Sequence, residues 1–256
     1  MEIYGIIPAR YQSTRLPGKP LAIIGGKPMI QRVYEQCIKS GVLKSVTVAT
    51  DDERIADIVK SFNGNVILTN PSHPSGTDRC FEAAQKLGLD NNAVVINIQG
   101  DEPFINPEQI DLLAGCFDND DTQIATLVKT ITNAEDLDNP GIAKVVVGAN
   151  NNALYFSRSP IPFVRNAAKE NWLAENIYYK HIGIYGYTYK VLKQLVDLKQ
   201  SPLELAESLE QLRWLEHGFN IAVKVTEYEN FAIDTPTTLK LLTKWFSILQ
   251  FDYFCG

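Results

Sequence analysis

Residues 3–20 read IYGIIPARYQSTRLPGKP, an apolar run followed by a basic loop. The run at 3–7 is short and rich in β-branched residues, which is typical of a buried strand. Pro8 is expected to end this strand, because proline has no N–H to donate to a neighbouring strand. The loop after it brings together three cations, which are Arg10, Arg15 and Lys19. The stretch therefore predicts a strand that is followed directly by a basic loop.

This basic loop has the chemistry of a phosphate-binding loop. Its cations would contact a triphosphate, and Ser13, Thr14 and Gly18 would present backbone N–H groups to the phosphate oxygens. It is not the loop of P-loop NTPases, since Lys19 and Lys27 are each followed by proline and the upstream glycine spacing is absent. No G-x-G-x-x-G turn is present either. Taken alone, a basic loop is more often a solvated surface, so both interpretations stay open at this point.

Strand-like and helical patterns alternate after the loop. Strands are predicted at 46–49, 65–68, 94–98, 123–127 and 143–147, and helices at about 29–40, 53–62, 76–87, 107–117 and 202–215. This alternation predicts an α/β fold with a mostly parallel, doubly wound sheet. Ligands bind such sheets beyond the carboxyl ends of the strands, where the loops at 8–19, 50–52 and 69–79 fall. Ser75 is placed to cap the helix after the last of these loops, so that free N–H groups would face an anion.

A carboxylate follows the most apolar strand, 94–98, in the sequence Gln99-Gly100-Asp101-Glu102-Pro103. An aspartate opposite a phosphate loop suits Mg²⁺, which usually takes one or two carboxylates together with substrate phosphates. An isolated aspartate at a strand end is more commonly a turn or cap residue. Asp234, which precedes Thr235-Pro236, is equally suited to cap the last helix. On spacing alone, neither aspartate is assigned to a metal.

The region at 150–172 interrupts the alternation, because it is aromatic, punctuated by proline and carries Arg158 and Arg165. It is expected to form a lid or a dimer arm. A strand-like stretch at 178–187 then contains His181 and Tyr185. The helix at 202–215 has Glu210 on its charged face, which is normally just solvated. The aromatic tail at 245–256 would pack either on the core or on a partner subunit.

The composition excludes several classes of protein. A chain of 256 residues with 45% hydrophobic content can form one large domain or a core with an inserted subdomain. Its net charge of −6 argues against a protein that coats nucleic acid, which needs a broad basic face. Four widely spaced cysteines without a C-x-x-C pair argue against zinc and a disulfide framework, and favour a reducing cytoplasm. Neither a signal peptide nor a membrane-spanning apolar run is recognised, so an unexported protein is expected.

Taken in order, these motifs resemble the 3-deoxy-manno-octulosonate cytidylyltransferases, also called CMP-Kdo synthetases, over nearly the whole chain. The resemblance rests on residues 7–11, 13–20, 49–53, 73–79, 99–103, 153–158, 181–185, 209–213 and 234–236. It implies transfer of CMP from CTP to the anomeric hydroxyl of 3-deoxy-D-manno-octulosonate (Kdo), giving CMP-Kdo and pyrophosphate for lipopolysaccharide synthesis. It also implies a nucleotide-diphospho-sugar transferase fold, Mg²⁺ as cofactor and a homodimer.

The resemblance also implies roles for individual residues of this sequence. The phosphates of CTP would be held by Arg10, Ser13, Arg15 and Lys19, and the cytidine by Ser75 and Gly76. Gln99 would lie between nucleotide and sugar, and Asp101 and Asp234 would hold Mg²⁺. The sugar side would comprise Arg79, Arg158, Arg165, His181, Tyr185, Glu210 and Gln211. The catalytic set would be Arg10, Lys19, Asp101 and Asp234. Phe163 departs from the pattern of the family, since relatives often carry Trp there.

The expected organisation is a single domain over 1–256 with an inserted lid or dimerisation region at about 150–190. Three other functions are alternatives to this reaction. A cytidylyltransferase for another acidic sugar, such as 8-amino Kdo or a sialic acid, is the nearest. A methylerythritol phosphate cytidylyltransferase is disfavoured by the motifs at 181–185 and 210–211. A regulatory module that binds nucleotide without turnover is disfavoured because both aspartates and the basic loop occur together.

Overall fold

A computed structural model of the chain describes residues 1–12, 16–233 and 235–240. The predictions for Ser13, Thr14, Arg15, Asp234 and the tail at 245–256 lie outside the described residues. The first half contains β1 (Ile3–Ala9), β2 (Ile23–Ile24), β3 (Lys27–Pro28), α1 (Met29–Cys37), β4 (Ser45–Thr50), α2 (Glu53–Ser61), β5 (Asn65–Leu68), α3 (Gly76–Lys86), β6 (Val94–Asn97) and α4 (Pro107–Ala114). The second half contains β7 (Ile124–Thr130), α5 (Ala134–Asp138), β8 (Lys144–Val147), β9 (Ala153–Ser157), α6 (Trp172–Glu175), β10 (Tyr179–Thr188), α7 (Tyr189–Val196), α8 (Pro202–Glu207), α9 (Gln211–Glu216) and β11 (Ile221–Val225). Short 3-10 helices occur at Lys19–Leu21 and Lys169–Asn171.

Nine of the described strands form one sheet with the order β11-β7-β10-β6-β1-β4-β5, extended by β8 beside β10 and by β9 beside β8, and β2 pairs with β3 in a separate sheet. The pairs β11/β7, β6/β1, β1/β4 and β4/β5 are parallel, whereas β10 is antiparallel to β6, β7 and β8. This confirms the predicted α/β fold with a mostly parallel sheet. The strand order reverses at β1, which has β4 on one side and β6 on the other. Such a reversal opens a crevice at the carboxyl ends of the strands.

Two cores cover the two faces of the sheet. Successive residues of a strand point to opposite faces, so Ile7 packs in one core and Ile6 in the other. The first core contains side chains of α1, α2 and α4, and the second contains those of α3, α7 and α9. The amphipathic patterns that predicted α1 and α2 are therefore explained by burial of one helix face. No described helix is both long and apolar enough to cross a membrane.

The first strand continues through Pro8 to Ala9, so the prediction that Pro8 ends it was wrong. Pro8 pairs with Ala49 of β4 in the parallel register. The carbonyl of Ile6 accepts the N–H of Ile98, so the main-chain groups of Ile6 point towards β6. Main-chain groups two residues apart in a strand point the same way, so those of Pro8 also face β6. The nitrogen of Pro8 thus faces β6 and not β4, so its missing N–H removes no bond to β4. The pairing of β1 with β6 ends at Ile6.

The predicted helix at 202–215 is two helices, α8 and α9, separated at Ser208. Ser208 has the left-handed conformation, with φ of 52°. The guanidinium of Arg158 donates to the carbonyls of Glu207 and Ser208, which are the acceptors at this helix end. The Glu207 carboxylate in turn accepts the hydroxyl of Ser157 and the N–H of Arg158. These tertiary contacts stabilise the break, and the helical spacing of leucines along 202–215 gave no sign of them.

Candidate active site

An open cleft of about 700 Å³ lies at the carboxyl ends of β1 and β6, where the strand order reverses. Three segments form its walls: the loop after β1, the N-terminus of α3 and the loop after β6. The predicted site residues among its lining are Arg10, Lys19, Ser75, Gly76, Arg79, Gln99 and Asp101. The structure thus brings together the described residues that the sequence assigned to nucleotide and metal. It adds Arg79 of the sugar side and Gln99, which was assigned between nucleotide and sugar.

Lys19 reaches across the cleft to the loop after β6. Gly18 makes the turn that directs it, with φ of 69° and an N–H that donates to the carbonyl of Tyr11 at 2.9 Å. The Nζ of Lys19 lies 2.5 Å from Oδ2 of Asp101. The side chain of Asp101 is 27% exposed and that of Lys19 14%, so both remain accessible from the cleft. The loop after β6 also runs close to β1, since a Cβ on Gly100 would lie 2.9 Å from the carbonyl oxygen of Pro8.

The N-terminus of α3 opens onto the same cleft. Ser75 is its N-cap, and the hydroxyl of Ser75 accepts the N–H of Asp78 at 3.2 Å, as the sequence predicted. Gly76 allows a close approach to β1, because a Cβ there would lie 3.3 Å from Cγ of Pro8. A helix of this length carries a partial positive charge at its N-terminus. This end of α3 can therefore stabilise an anion in the cleft.

Arg79, one turn into α3, is a buried cation at the cleft wall with 4% exposure. Its Nη1 donates to the hydroxyl of Thr69 at 2.5 Å and lies 3.2 Å from a carboxylate oxygen of Asp51. The charge of this guanidinium is therefore balanced by a neighbour from the loop after β4.

A second group of predicted residues, His181 and Tyr185, lies on β10. The β-bulge between Ile182 and Tyr185 places the two rings 5.1 Å apart. Nε2 of His181 lies 3.0 Å from the hydroxyl of Thr126, which itself donates to the carbonyl of Ile184. Nε2 of His181 is then the donor to Thr126, and Nδ1 keeps a lone pair. Burial lowers the pKa of His181 to about 4, so the imidazole is neutral at physiological pH.

Tyr185 is buried, and its hydroxyl has no hydrogen-bond partner within the described ranges. The same holds for the amide nitrogen of Gln211 in α9, which is 5% exposed. Buried polar atoms nearly always have a partner, so these two donors call for a ligand or ordered water. Gln99, from the nucleotide side, approaches the same strand, since a Cβ on Gly183 would lie 3.8 Å from Cγ of Gln99.

Glu210 is not simply a solvated helix residue, as its spacing alone indicated. Its carboxylate accepts the hydroxyl of Thr77 at 2.8 Å and lies 2.8 Å from Nη2 of Arg213. Burial raises the pKa of Glu210, although the hydrogen bond from Thr77 and the charge of Arg213 oppose the shift. Thr77 belongs to α3, next to Gly76. The Thr77–Glu210 bond therefore joins the helix at the nucleotide side to the segment that carries Gln211.

The two arginines of the region between β8 and β10 lie away from the lining of the cleft. Arg158 is half-buried and donates to the carbonyls of Pro140, Glu207 and Ser208. Arg165 is exposed. Phe163 is 73% exposed and meets the ring of Trp172 edge-on at 5.0 Å between centroids. The sugar-binding roles of both arginines stay predictions.

Sequence reasoning missed Glu102, Asn230 and Thr77, which touch the predicted residues or their loops. Glu102 is 6% exposed and accepts the side-chain N–H of Asn230 at 2.5 Å. Burial and the neighbouring charge of Asp101 raise the pKa of Glu102 to about 8, and the bond from Asn230 opposes this rise. The position of Glu102 beside Asp101 was visible in the sequence. Its burial depends on contacts that are distant in sequence, so no local signal marked it.

The ligands of the cleft suit a hard divalent cation that takes only some of its ligands from the protein, and do not suit a metal that is enclosed by protein side chains. Within residues 1–12, 16–233 and 235–240, no group of three or more His, Cys, Asp or Glu side chains could hold a metal ion. Asp101 nevertheless offers carboxylate oxygens to the cleft. Mg²⁺ usually needs only one or two carboxylates when substrate phosphates and water supply the other ligands.

A mostly parallel α/β sheet, cations around a cleft at its strand reversal and a carboxylate in the cleft wall are consistent with a nucleotidyltransferase. The model of the cytidylyltransferase family matches residues 4–225. The chain belongs to this family.

Its relatives and structural neighbours narrow the class further. The 3-deoxy-manno-octulosonate cytidylyltransferase of Phocaeicola vulgatus is 58% identical over 242 residues, which cover 93% of this chain and 95% of the relative. That of Bacteroides thetaiotaomicron is 58% identical over 243 residues, covering 94% and 96%. A solved CMP:2-keto-3-deoxy-manno-octonic acid synthetase in complex with CTP is 42% identical, with a TM-score of 0.88 over 97% of this chain and 99% of the other. A 4-diphosphocytidyl-2C-methyl-D-erythritol synthase from Anaerococcus prevotii shares only the fold, with 14% identity and a TM-score of 0.58.

Proposed function

We infer that this chain transfers CMP from CTP to the anomeric hydroxyl of Kdo, giving CMP-Kdo and pyrophosphate. The observation that carries this inference is identity of 58%, over nearly the full length of both chains, to relatives named for this reaction. The cleft is consistent with it, because cations and the N-terminus of α3 surround a space that can accept a triphosphate. The methylerythritol phosphate alternative is not favoured, since its structural likeness extends to the fold alone.

The nucleotide is proposed to bind across the ends of β1 and β6. Arg10 and Lys19 would contact its phosphates, and Ser75 and Gly76 its cytidine. The position of these four residues in one cleft supports this arrangement. Ser13 and Arg15 complete the proposed phosphate contacts, on the sequence resemblance.

We assign the divalent cation of the reaction to Mg²⁺, bound by Asp101 and Asp234. When bound, it would neutralise negative charge on the triphosphate and on the departing pyrophosphate. Asp101 is suited to this role because its carboxylate is accessible and lies beside Lys19. Lys19 also acts directly, since its ammonium would stabilise the charge that develops on the leaving group.

The sugar is proposed to lie between Gln99 and the segment at 210–211, over β10. Support comes from the hydroxyl of Tyr185 and the amide nitrogen of Gln211, neither of which has a hydrogen-bond partner among the described residues. Nδ1 of the neutral His181 would accept a sugar hydroxyl. Arg79, Arg158, Arg165 and Glu210 complete the proposed set. Since the guanidinium of Arg158 is occupied by three carbonyls, the exposed Arg165 is the better candidate for bidentate contact with the Kdo carboxylate.

In the proposed reaction, the anomeric oxygen of Kdo attacks the α-phosphorus of CTP in line with the leaving group. A new P–O bond forms to the sugar, the bond to the pyrophosphate oxygen breaks, and the proton of the anomeric hydroxyl is released to solvent. Kdo carries a carboxylate, so the site must bring two anions together, and the cations of the cleft lower that repulsion. Fixing both substrates in line supplies much of the remaining rate enhancement.

We also propose a cytoplasmic homodimer in which the region at about 150–190 forms the lid or the dimer contact. The large apolar side chains Leu154, Phe163 and Ile177 are more than 60% exposed there, which supports a protein contact. Cys37, Cys80 and Cys116 are free and buried, which suits a reducing compartment. Light scattering coupled to size exclusion gives the oligomeric state, and a monomer at micromolar concentration would contradict the dimer.

Pyrophosphate release from CTP and Mg²⁺ tests the reaction, with Kdo, 8-amino Kdo and a sialic acid supplied in parallel. We expect the highest kcat/KM with Kdo. A preference for another acidic sugar would keep the cleft assignments and overturn the assignment of the acceptor. Nucleotide binding without turnover on any of the three sugars would instead favour a regulatory module.

A further inference from the structure

The buried carboxyl group of Glu102 follows the proposed metal ligand Asp101 in the loop after β6. Asp101 lines the cleft, whereas Glu102 is only 6% exposed and is not part of the cleft lining. Its Oε2 accepts the side-chain N–H of Asn230 at 2.5 Å. Burying a carboxylate is costly unless it is hydrogen-bonded, so this contact compensates for part of that cost. The partner is 128 residues distant in sequence, in the segment that follows β11.

Two further contacts fasten the same segment to the loop after β6. The N–H of Ile233 donates to the main-chain carbonyl of Asp101 at 2.9 Å. The side chain of Ile233 is fully buried with Ile24 and Met29, and Phe104 packs against this cluster. The loop after β6 and residues 230–233 are thus joined by a side-chain bond, a main-chain bond and an apolar contact. Ile233 is the residue before Asp234 in the sequence.

We propose that Glu102 and Asn230 are positioning residues that hold residues 230–233 against the loop of Asp101, and so fix the orientation in which the Asp101 carboxylate meets a divalent cation. This inference rests on the proposed function, which assigns Asp101 and Asp234 to Mg²⁺. Glu102 would act without touching the metal or either substrate, because its side chain is buried outside the lining of the cleft and Asn230 holds its Oε2. Groups that orient metal ligands in this way typically change metal affinity by about 10–100-fold when they are removed.

The test uses Glu102→Ala, Asn230→Ala, the double variant and Glu102→Gln. Glu102→Ala and Asn230→Ala should each raise the half-saturating Mg²⁺ concentration for pyrophosphate release about 10-fold or more, and change kcat at saturating Mg²⁺ much less. The double variant should resemble either single variant, since both remove the same bond. Glu102→Gln keeps an oxygen acceptor for Asn230, so it should restore the affinity for Mg²⁺ towards that of the wild type.

A second measurement needs neither metal nor turnover. Hydrogen exchange at the Ile233 amide, which donates to Asp101, should accelerate in Glu102→Ala and in Asn230→Ala but not in Glu102→Gln. The matched control is Ser40→Ala. It removes another bond of 2.5 Å, from Ser40 to Asp111, which joins the end of α1 to α4 away from the cleft. This variant should lose stability without changing the Mg²⁺ requirement.

Several outcomes would overturn the proposal. These are an unchanged Mg²⁺ requirement and unchanged exchange in Glu102→Ala, additive effects of the two alanine substitutions, or an equal rise in half-saturating Mg²⁺ in Ser40→Ala. Asp101→Asn separates this failure from a failure of the proposed function. If Asp101→Asn abolishes turnover while Glu102→Ala and Asn230→Ala behave like Ser40→Ala, only the positioning role is wrong. If Asp101→Asn turns over near normally, the metal assignment fails, and the positioning role fails with it.

Discussion

The ammonium of Lys19 and the carboxylate of Asp101 lie 2.5 Å apart and join the loop after β1 to the loop after β6. The two residues are 82 positions apart in sequence, and parallel strands bring them to one edge of the sheet. An ammonium has three donors, so Lys19 can keep its bond to Asp101 and still contact a phosphate oxygen. The pair therefore links phosphate binding to the position of the proposed metal ligand.

Replacing Lys19 by alanine should lower kcat for pyrophosphate release about 100- to 1000-fold, as expected when a group that stabilises developing charge is removed. The variant should remain folded, because the side chain lies at the wall of an open cleft. Lys27→Ala is the matched control, since Lys27 also stands between Gly and Pro but pairs with Glu35 outside the cleft. Equal losses in the two variants would contradict the role of Lys19.

Asp101→Asn should remove most turnover while CTP still binds, because the amide keeps the shape of the carboxylate and lacks its charge. A fall of about 100-fold or more in kcat is expected if the carboxylate binds Mg²⁺. Turnover is followed by pyrophosphate release, and CTP binding by calorimetry. Asp57→Asn, on the exposed face of α2 with a side chain 73% exposed, should behave as the wild type. Near-normal turnover of Asp101→Asn would refute the assignment.

Thr77→Val should raise the KM for Kdo and leave the KM for CTP nearly unchanged. The substitution removes the hydroxyl that holds the carboxylate of Glu210 at 2.8 Å, so the sugar-side segment would lose one anchor to α3. A change of about 10-fold in KM corresponds to one hydrogen bond to a charged group. Thr77→Ser keeps the hydroxyl and should keep the KM. A rise confined to the KM for CTP would show that Thr77 serves the nucleotide instead.

The contacts of Arg158 predict that its replacement mainly affects folding. Arg158→Ala would leave the carbonyls of Glu207 and Ser208 without this donor, and should lower the free energy of unfolding by about 2 kcal/mol. Urea titration of the purified variant measures this loss. Arg165→Ala, at an exposed position of the same region, should leave stability nearly unchanged. If Arg158→Ala keeps its stability and raises only the KM for Kdo, Arg158 binds sugar as the sequence resemblance implies.

The residues that could be predicted from sequence are those whose partners follow from the topology. Arg10, Lys19, Ser75 and Asp101 each sit at the end of a strand or the start of a helix, and parallel strands bring such ends together. Features that depend on distant side chains could not be predicted. The break at Ser208 depends on Arg158.

The pairing of Pro8 within β1 and the burial of Glu102 also depend on residues that are distant in sequence. Pro8 remains in its strand because its nitrogen faces away from β4, and a local proline rule carries no information about which neighbouring strand a residue faces. Glu102 is buried because Asn230 returns to it from the far end of the chain. Local chemistry therefore located the cleft, while the contacts that support it became apparent only in three dimensions.

The neutral imidazole of His181 predicts how stability depends on pH. Burial lowers its pKa in the folded protein to about 4, below the value of about 6.5 for an unfolded chain. Between pH 6.5 and 4 the unfolded chain binds more protons than the folded protein does. The contribution of His181 to the free energy of unfolding therefore has its full value above pH 6.5 and decreases as the pH is lowered towards 4. The shift corresponds to at most about 3 kcal/mol, and to less where water reaches the half-buried ring.

Urea titrations at pH 4.5 and 7.5 measure this dependence. The difference in the free energy of unfolding between the two pH values should be smaller for His181→Gln than for the wild type. His217→Gln, at an exposed position, is the control, and an unaltered difference in His181→Gln would contradict the buried, neutral ring.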